Sequence, residues 1–201
     1  MKKMIVLMLA LVLTLSSMLV VSACADTGYG DWPTRDNYGV GTALKNLKSE
    51  KDRHQSYFGP NRNYAGAGAY KPYKVISATA LFREGDFVLV DLDYKTVGRR
   101  CVYFKASSLV NASVESVNLT PYRAVTTAAV QPTFGPGYQY DGVEQTVINP
   151  KTGAQVTKRI ELGRGSLVNV FFETDGWVFA EFGCALGTIC GWIPAGMVTP
   201  N

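Results

Sequence analysis

The pattern of apolar and polar positions changes sharply after the first 25 residues of the chain. Lys2 and Lys3 precede residues 4–21, an apolar run that only weakly polar residues interrupt. A positively charged start, an apolar segment and small residues after it are typical of an export signal that is removed. We therefore expect a cleavable signal helix over residues 1–25. Residues 26–55 show little apolar pattern and predict a flexible spacer, with one short helix possible over residues 42–53.

Beyond the spacer, apolar positions alternate with polar or neutral ones, as in β-strands. Ala78, Ala80 and Phe82 follow this period of two, and so do Val168, Val170 and Phe172. An Asp175-Gly176 pair separates two apolar stretches and is the strongest hairpin signal in the chain. No segment after the signal keeps a helical period over a dozen residues. The pattern predicts an all-β protein of short strands in small barrels or sandwiches.

The chain repeats itself, and the repeat predicts its domain organisation. The motif Phe58-Gly59-Pro60-x-x-x-Tyr64 recurs as Phe134-Gly135-Pro136-x-x-x-Tyr140, and the apolar stretch at residues 87–92 recurs at 177–182. Both pairs run in the same order, which indicates two tandem units of one design. We predict small barrels over residues 56–112 and 128–200, joined by residues 113–127. The second unit carries extra residues between its motifs, and these predict an inserted hairpin near 145–157.

The end of the signal leaves three fates open. Ala23-x-Ala25 suits cleavage before Asp26 by an ordinary signal peptidase, whereas Val21-Ser22-Ala23-Cys24 resembles a bacterial lipobox with Cys24 as the acylated residue. The third fate, a retained membrane anchor, fits the length of the run but not the small residues that follow it. In each case the chain is exported, and it is secreted or held at the cell surface.

Charge and cysteine content narrow the chemistry further. Loss of Lys2 and Lys3 lowers the net charge from +4 to about +2, which is too weak to indicate nucleic-acid binding. Cys184 and Cys190 flank a short segment around Gly187, so a disulfide between them is permitted in an exported protein but not required. Cys101 stands where Cys190 stands in the other unit and is expected to be a small buried residue. With His54 as the one histidine and no Cys-x-x-Cys pair, neither a metal site nor a cofactor is expected.

The second unit resembles bacterial SH3-like (SH3b) domains. Four elements carry the resemblance: Phe134-Gly135-Pro136-Gly137-x-x-Tyr140, Leu162-Gly163-x-Gly165-x-Leu167-Val168-x-Val170, Asp175-Gly176-Trp177-Val178-x-Ala180 and Gly191-Trp192-Ile193-Pro194. The first unit resembles a degenerate copy, with Phe87 in place of the first Trp and Val102-Tyr103 in place of the closing Gly-Trp. The resemblance implies two tandem SH3-like β-barrels behind the signal and the spacer.

The resemblance also implies a function, which is recognition of cell-wall peptides or of a protein partner at the cell surface. We expect a non-catalytic binding module whose ligand lies in an aromatic groove of the second unit, formed by Tyr138, Tyr140, Trp192 and Trp177. Packing in a thin core is the competing role of these side chains. The alternative function is a structural spacer or assembly subunit without a discrete ligand. No Cys–His pair, Gly-x-Ser-x-Gly elbow or phosphate-binding loop indicates an enzyme. A membrane contact is expected only through a lipid on Cys24.

Overall fold

Antiparallel strands form most of the regular structure in the described part of the chain. A computed structural model describes residues 53–109 and 114–201, and within them no α-helix occurs, so the all-β prediction is confirmed. The predicted signal helix with Cys24 lies outside the described residues. So do the predicted spacer up to residue 52 and all of the predicted short helix except Arg53, which has no regular structure.

The first unit is a five-stranded sheet. Its strands are β1 (His54–Tyr57), β2 (Gly66–Tyr70), β3 (Val75–Glu84), β4 (Phe87–Tyr94) and β5 (Gly98–Lys105), and their order across the sheet is β2-β1-β5-β4-β3. Single 3₁₀ turns precede β3 and follow β5. The strand β1 begins at His54, slightly inside the predicted spacer.

The second unit also forms a five-stranded sheet and adds a separate two-stranded hairpin. Strands β6 (Tyr122–Thr126), β9 (Leu167–Thr174), β10 (Trp177–Cys184), β11 (Gly187–Pro194) and β12 (Val198–Pro200) form a sheet of order β11-β10-β9-β6-β12. The strands β7 (Glu144–Ile148) and β8 (Gln155–Arg159) form a separate hairpin where the insertion was predicted. The Asp175-Gly176 turn joins β9 to β10, and its positive φ angles of 50° and 75° explain the choice of these residues.

One strand lies in the segment that was predicted to be a linker. Within residues 113–127, β6 pairs with both β9 and β12 and belongs to the second sheet. Its alternation is carried by small residues, since Ala124 and Thr126 are buried on one face while Arg123, on the other face, is exposed. Small side chains give a weak hydrophobic pattern, which explains why the linker appeared to extend to residue 127.

Each sheet is apolar on both of its faces. The inner face of the first sheet contributes aliphatic residues such as Val88, Val90 and Leu92 to the core, and that of the second sheet contributes Val178 and Ile193. The other face of both sheets carries aromatic residues. Strands that are buried on both sides need consecutive apolar residues, and β4 and β10 have them.

The pairing of the strands leaves both sheets open within the described residues. The end strands β2 and β3 do not pair with each other, and neither do β11 and β12. Five-stranded sheets are thus present in both units, whereas the predicted closed barrels are not seen in the backbone pairing. Both sheets belong to one compact unit of the chain.

Candidate functional site

The four aromatic residues predicted to bind a ligand do not form a groove on the surface. Trp192, Trp177 and Tyr140 are buried, with exposed fractions of 1%, 7% and 7%, and only Tyr138 is exposed, at 88%. The rings of Tyr138 and Trp177 meet in a T-shaped arrangement with 5.2 Å between their centroids. An open aromatic groove made of these four side chains is therefore not seen in the structure.

An aromatic layer between the two sheets explains this burial. Its residues are Phe82 and Tyr103 from the first sheet and Phe172, Phe179 and Trp192 from the second. Phe82 meets Phe172 edge to face at 5.8 Å between centroids, and Trp192 lies 5.0 Å from Phe179. The face on which a ligand was expected is thus covered by the other half of the same chain.

The two Phe-Gly-Pro turns (residues 58–64 and 134–140) are exchanged between the units. The N–H of Cys190 in the second sheet donates to the carbonyl of Phe58, at 3.1 Å, and the N–H of Cys101 in the first sheet donates to the carbonyl of Phe134, at 2.7 Å. The Phe58 and Phe134 rings stack on each other at 5.5 Å and 22°. Each turn therefore begins in its own unit and docks on the sheet of the other.

The glycine of each turn is required by the tyrosine that ends the motif. A Cβ atom on Gly59 would lie 2.3 Å from the ring of Tyr64, and one on Gly135 would lie 2.2 Å from the ring of Tyr140. Such approaches are far below van der Waals contact, so no side chain larger than hydrogen fits there. The repeated motif therefore encodes a turn in which the backbone of the glycine packs against the ring of the tyrosine that ends the motif.

Each exchanged tyrosine meets a carboxylate and a cysteine of the opposite sheet. The hydroxyl of Tyr64 donates to Oε2 of Glu181, beside Cys190, and Tyr140 reaches Asp91 and Cys101 in the same way. Burial raises the pKa of both phenols and of both thiols. Because only a thiolate is a good nucleophile, these cysteines are poorly suited to covalent catalysis.

The two clusters differ in the partner of the carboxylate. In the first unit, Nε of Arg99 donates to Oδ1 of Asp91 at 3.0 Å, and a second guanidinium nitrogen contacts Oδ2. The hydrogen bond to Asp91 raises the pKa of Arg99, which stays charged. The guanidinium also lies over the ring of Tyr140, 4.9 Å from its centroid. A paired and stacked arginine of this kind holds the exchanged turn in place.

The disulfide considered between Cys184 and Cys190 is absent, and Cys101, Cys184 and Cys190 are all free. The hairpin turn lies between Cys184 and Gly187, which pair directly, so that Cys190 lies opposite Glu181 instead. Cys190 is three residues along the strand from Gly187, roughly 10 Å, and on the opposite face. A disulfide needs Cα atoms within about 7 Å and side chains that face each other.

The first unit carries a basic cleft, which sequence reasoning missed. It has a volume of about 320 Å³, and its cationic lining residues are Arg53, Lys71, Lys74 and Arg100, without an acidic side chain in the lining. Their spacing in sequence gave no signal, because β2 and the turn before β3 bring Lys71 and Lys74 beside the β4–β5 turn.

The walls of the basic cleft are held by hydrogen bonds. The hydroxyl of Tyr94 accepts from the backbone N–H of Lys71 at 3.1 Å, and Nε of Arg100 donates to the carbonyl of Val97 at 3.1 Å. The guanidinium of Arg100 also lies 4.2 Å from the centroid of the Phe134 ring. Arg100 is therefore partly occupied by contacts within the fold. Nζ of Lys71 lies over the ring of Tyr73, 5.7 Å from its centroid.

Glu84 is a further perturbed group beside the exchanged turn. Burial raises its pKa to about 7, and a hydrogen bond from the Tyr103 hydroxyl to Oε2, at 3.3 Å, lowers it in part. Among the residues that the structure describes, no group of three or more His, Cys, Asp or Glu side chains could hold a metal ion. The same residues include no helix of the length and hydropathy needed to cross a membrane.

Comparison of the chain with protein-family models, with curated proteins and with solved structures finds no match.

Proposed function

We propose that this protein is an exported, non-catalytic binding module of two SH3-like units, and that it binds an anionic ligand in the basic cleft of the first unit. The SH3-like assignment rests on the turn and closing-strand motifs of the second unit. The ligand is a cell-wall peptide or a surface protein with free carboxylates, a class of group that protein modules commonly capture with cations and backbone N–H groups.

The observation that carries this proposal is the charge of the cleft. Four cationic side chains line one concave surface of about 320 Å³, and no carboxylate among the lining residues neutralises them. Like charges held together raise the electrostatic energy of the folded state, which an anionic ligand lowers. Tyr70 and Tyr94 add aromatic walls to the cleft. We therefore propose that the ligand binds to the first unit and not, as expected from the sequence, to the second.

The test is a binding measurement with purified cell wall on a charge-removal pair. The variant Lys71→Gln/Lys74→Gln removes two cations from the cleft, and Lys151→Gln/Lys158→Gln removes two from the exposed inserted hairpin as a matched control. We expect at least tenfold weaker binding for the cleft variant, since two partly exposed ionic contacts contribute about 1.4 kcal/mol or more together. The control variant should bind like the wild type. Equal losses of binding affinity in the two variants would show that net charge alone causes the effect, which would contradict the proposal.

A structural spacer is the second candidate, and the aromatic layer favours it. The exchanged turns and the layer join the two units into one body, as suits a subunit that keeps a fixed distance between its neighbours. Absence of saturable binding to cell wall or surface proteins by the wild-type protein would support this candidate over the first.

A further inference from the structure

The second unit has a cleft at the place where the first unit holds the Arg99–Asp91 ion pair. In the first sheet, Asp91 lies opposite Cys101 and Asp93 lies opposite Arg99, so Arg99 reaches Asp91 diagonally across the strands. Diagonal neighbours on one face of a sheet are within reach of a long side chain. This geometry fills the first site with the chain's own guanidinium.

The corresponding strand pair of the second sheet has the same register but different residues at the positions of Arg99 and Asp93. Glu181 lies opposite Cys190, and Gly183 lies opposite Thr188. Thr188 therefore stands where Arg99 stands in the first sheet, and Gly183 stands in place of Asp93. The short side chains leave a cleft of about 300 Å³, and a Cβ atom on Gly183 would meet no atom within 4 Å.

The carboxylate in this cleft is held in position but carries no ion pair among the described residues. Tyr64 donates to Oε2 of Glu181, and Nδ2 of Asn169 donates to Oε1 at 2.9 Å. The salt bridges found in the described residues involve other carboxylates. Two neutral donors thus fix the side chain, and each oxygen keeps a lone pair for a further donor.

The far wall of the cleft carries the opposite charge. Arg123 on β6 lies opposite Asn169, which lies opposite Glu181. Two strand spacings, about 10 Å, therefore separate the Arg123 and Glu181 backbones. Arg123 is exposed, so its guanidinium is open to an anionic group on the same ligand.

We propose that this second cleft binds a guanidinium or ammonium group of a peptide ligand against Glu181, with a carboxylate of the same ligand toward Arg123. The cationic group takes the position that Arg99 takes beside Asp91 in the first unit. This site lies on the second sheet and is independent of the basic cleft, so either can fail without the other.

An NMR titration of the mature chain with two small probes tests the proposal. N-acetyl-arginine carries both charges, whereas N-acetyl-citrulline has nearly the same shape and keeps the carboxylate but lacks the cation. We expect saturable shifts of the Asn169, Gly183 and Thr188 amide signals with the arginine probe, and at least tenfold weaker binding of the citrulline probe. Equal binding of both probes, or no saturable shift, would overturn the proposal.

Two variants and a control locate the site. Thr188→Arg rebuilds the arrangement of the first unit and should abolish binding, while the protein stays at least as stable to heat. Thr157→Arg adds the same side chain to the exposed strand β8 and should leave binding unchanged. If Thr188→Arg does not fold, Glu181→Gln replaces it and should weaken binding at least tenfold. Unchanged binding of the arginine probe to the folded cleft variant would overturn the proposal. A third variant, Arg123→Ala, tests whether Arg123 itself fills the cleft. If the probe binds only to Arg123→Ala and not to the wild type, the proposal is likewise overturned.

Discussion

Truncation of Trp192 to alanine should destabilise the protein rather than weaken a surface contact. The Trp192 side chain is 1% exposed, and its ring lies 5.0 Å from that of Phe179 and 5.5 Å from that of Phe172. It is therefore part of the layer between the two sheets and has no access to a ligand.

The expected magnitude follows from this environment. Removal of a fully buried tryptophan side chain costs about 3 to 5 kcal/mol, because apolar burial is lost and a cavity remains. The two aromatic contacts place the value toward the upper part of that range, since such pairs add about 0.5 to 1.5 kcal/mol each. With an m-value of about 2 kcal/mol/M in urea, the midpoint should fall by about 2 M.

Urea unfolding followed by circular dichroism measures this loss, with Tyr138→Ala as the control. Tyr138 is 88% exposed, so the same kind of truncation should cost less than about 1 kcal/mol. A Trp192→Ala protein that unfolds within about 1 kcal/mol of the wild type would refute the reasoning. Trp192 would then have to lie on the surface, as the aromatic groove expected from the sequence required.

Two further predictions concern pH and thiols. The pKa of Glu84 is raised to about 7 in the folded protein, so its protonated form stabilises the fold fully below about pH 4.5, and this contribution is lost as the pH rises through 7. Glu84→Gln should remove this pH dependence of the free energy of unfolding and stabilise the protein at pH 8 by about 1 to 2 kcal/mol, a value reduced because the side chain is half-buried. Urea titrations from pH 4 to 8 measure this dependence, and the same dependence in the variant as in the wild type would contradict the prediction. Cys101, Cys184 and Cys190 should all react with a thiol reagent in the unfolded chain without prior reduction, and a thiol count that rises after reduction would show a disulfide among them.

The all-β class could be predicted because its signals are local. The apolar positions of β3 and β9 and the Asp175-Gly176 turn depend on neighbouring residues only, and both strands and the turn are present in the structure. Burial in β3 does not alternate, however, since residues 78–82 are buried without interruption. The strand β6 escaped prediction because its buried positions are occupied by Ala124 and Thr126, whose side chains add little to a hydrophobic pattern.

The role of the aromatic residues could have been predicted in part. Residues 177–180 are apolar without interruption, and such a run indicates a strand that is buried on both faces. The exchange of the turns could not be predicted, because the Phe-Gly-Pro-x-x-x-Tyr motif is equally compatible with docking on its own sheet or on the other one. Both clefts depend on that long-range arrangement and on differences between the units, such as Thr188 in place of Arg99.

The exchange of the two turns is the central claim, and NMR scalar couplings across hydrogen bonds test it most directly. The structure predicts a coupling between the amide nitrogen of Cys190 and the carbonyl carbon of Phe58, and another between Cys101 and Phe134, together with proton contacts between the stacked Phe58 and Phe134 rings. If Cys190 instead couples to Phe134 and Cys101 to Phe58, each turn docks on its own sheet, and the account of one body with exchanged turns is contradicted.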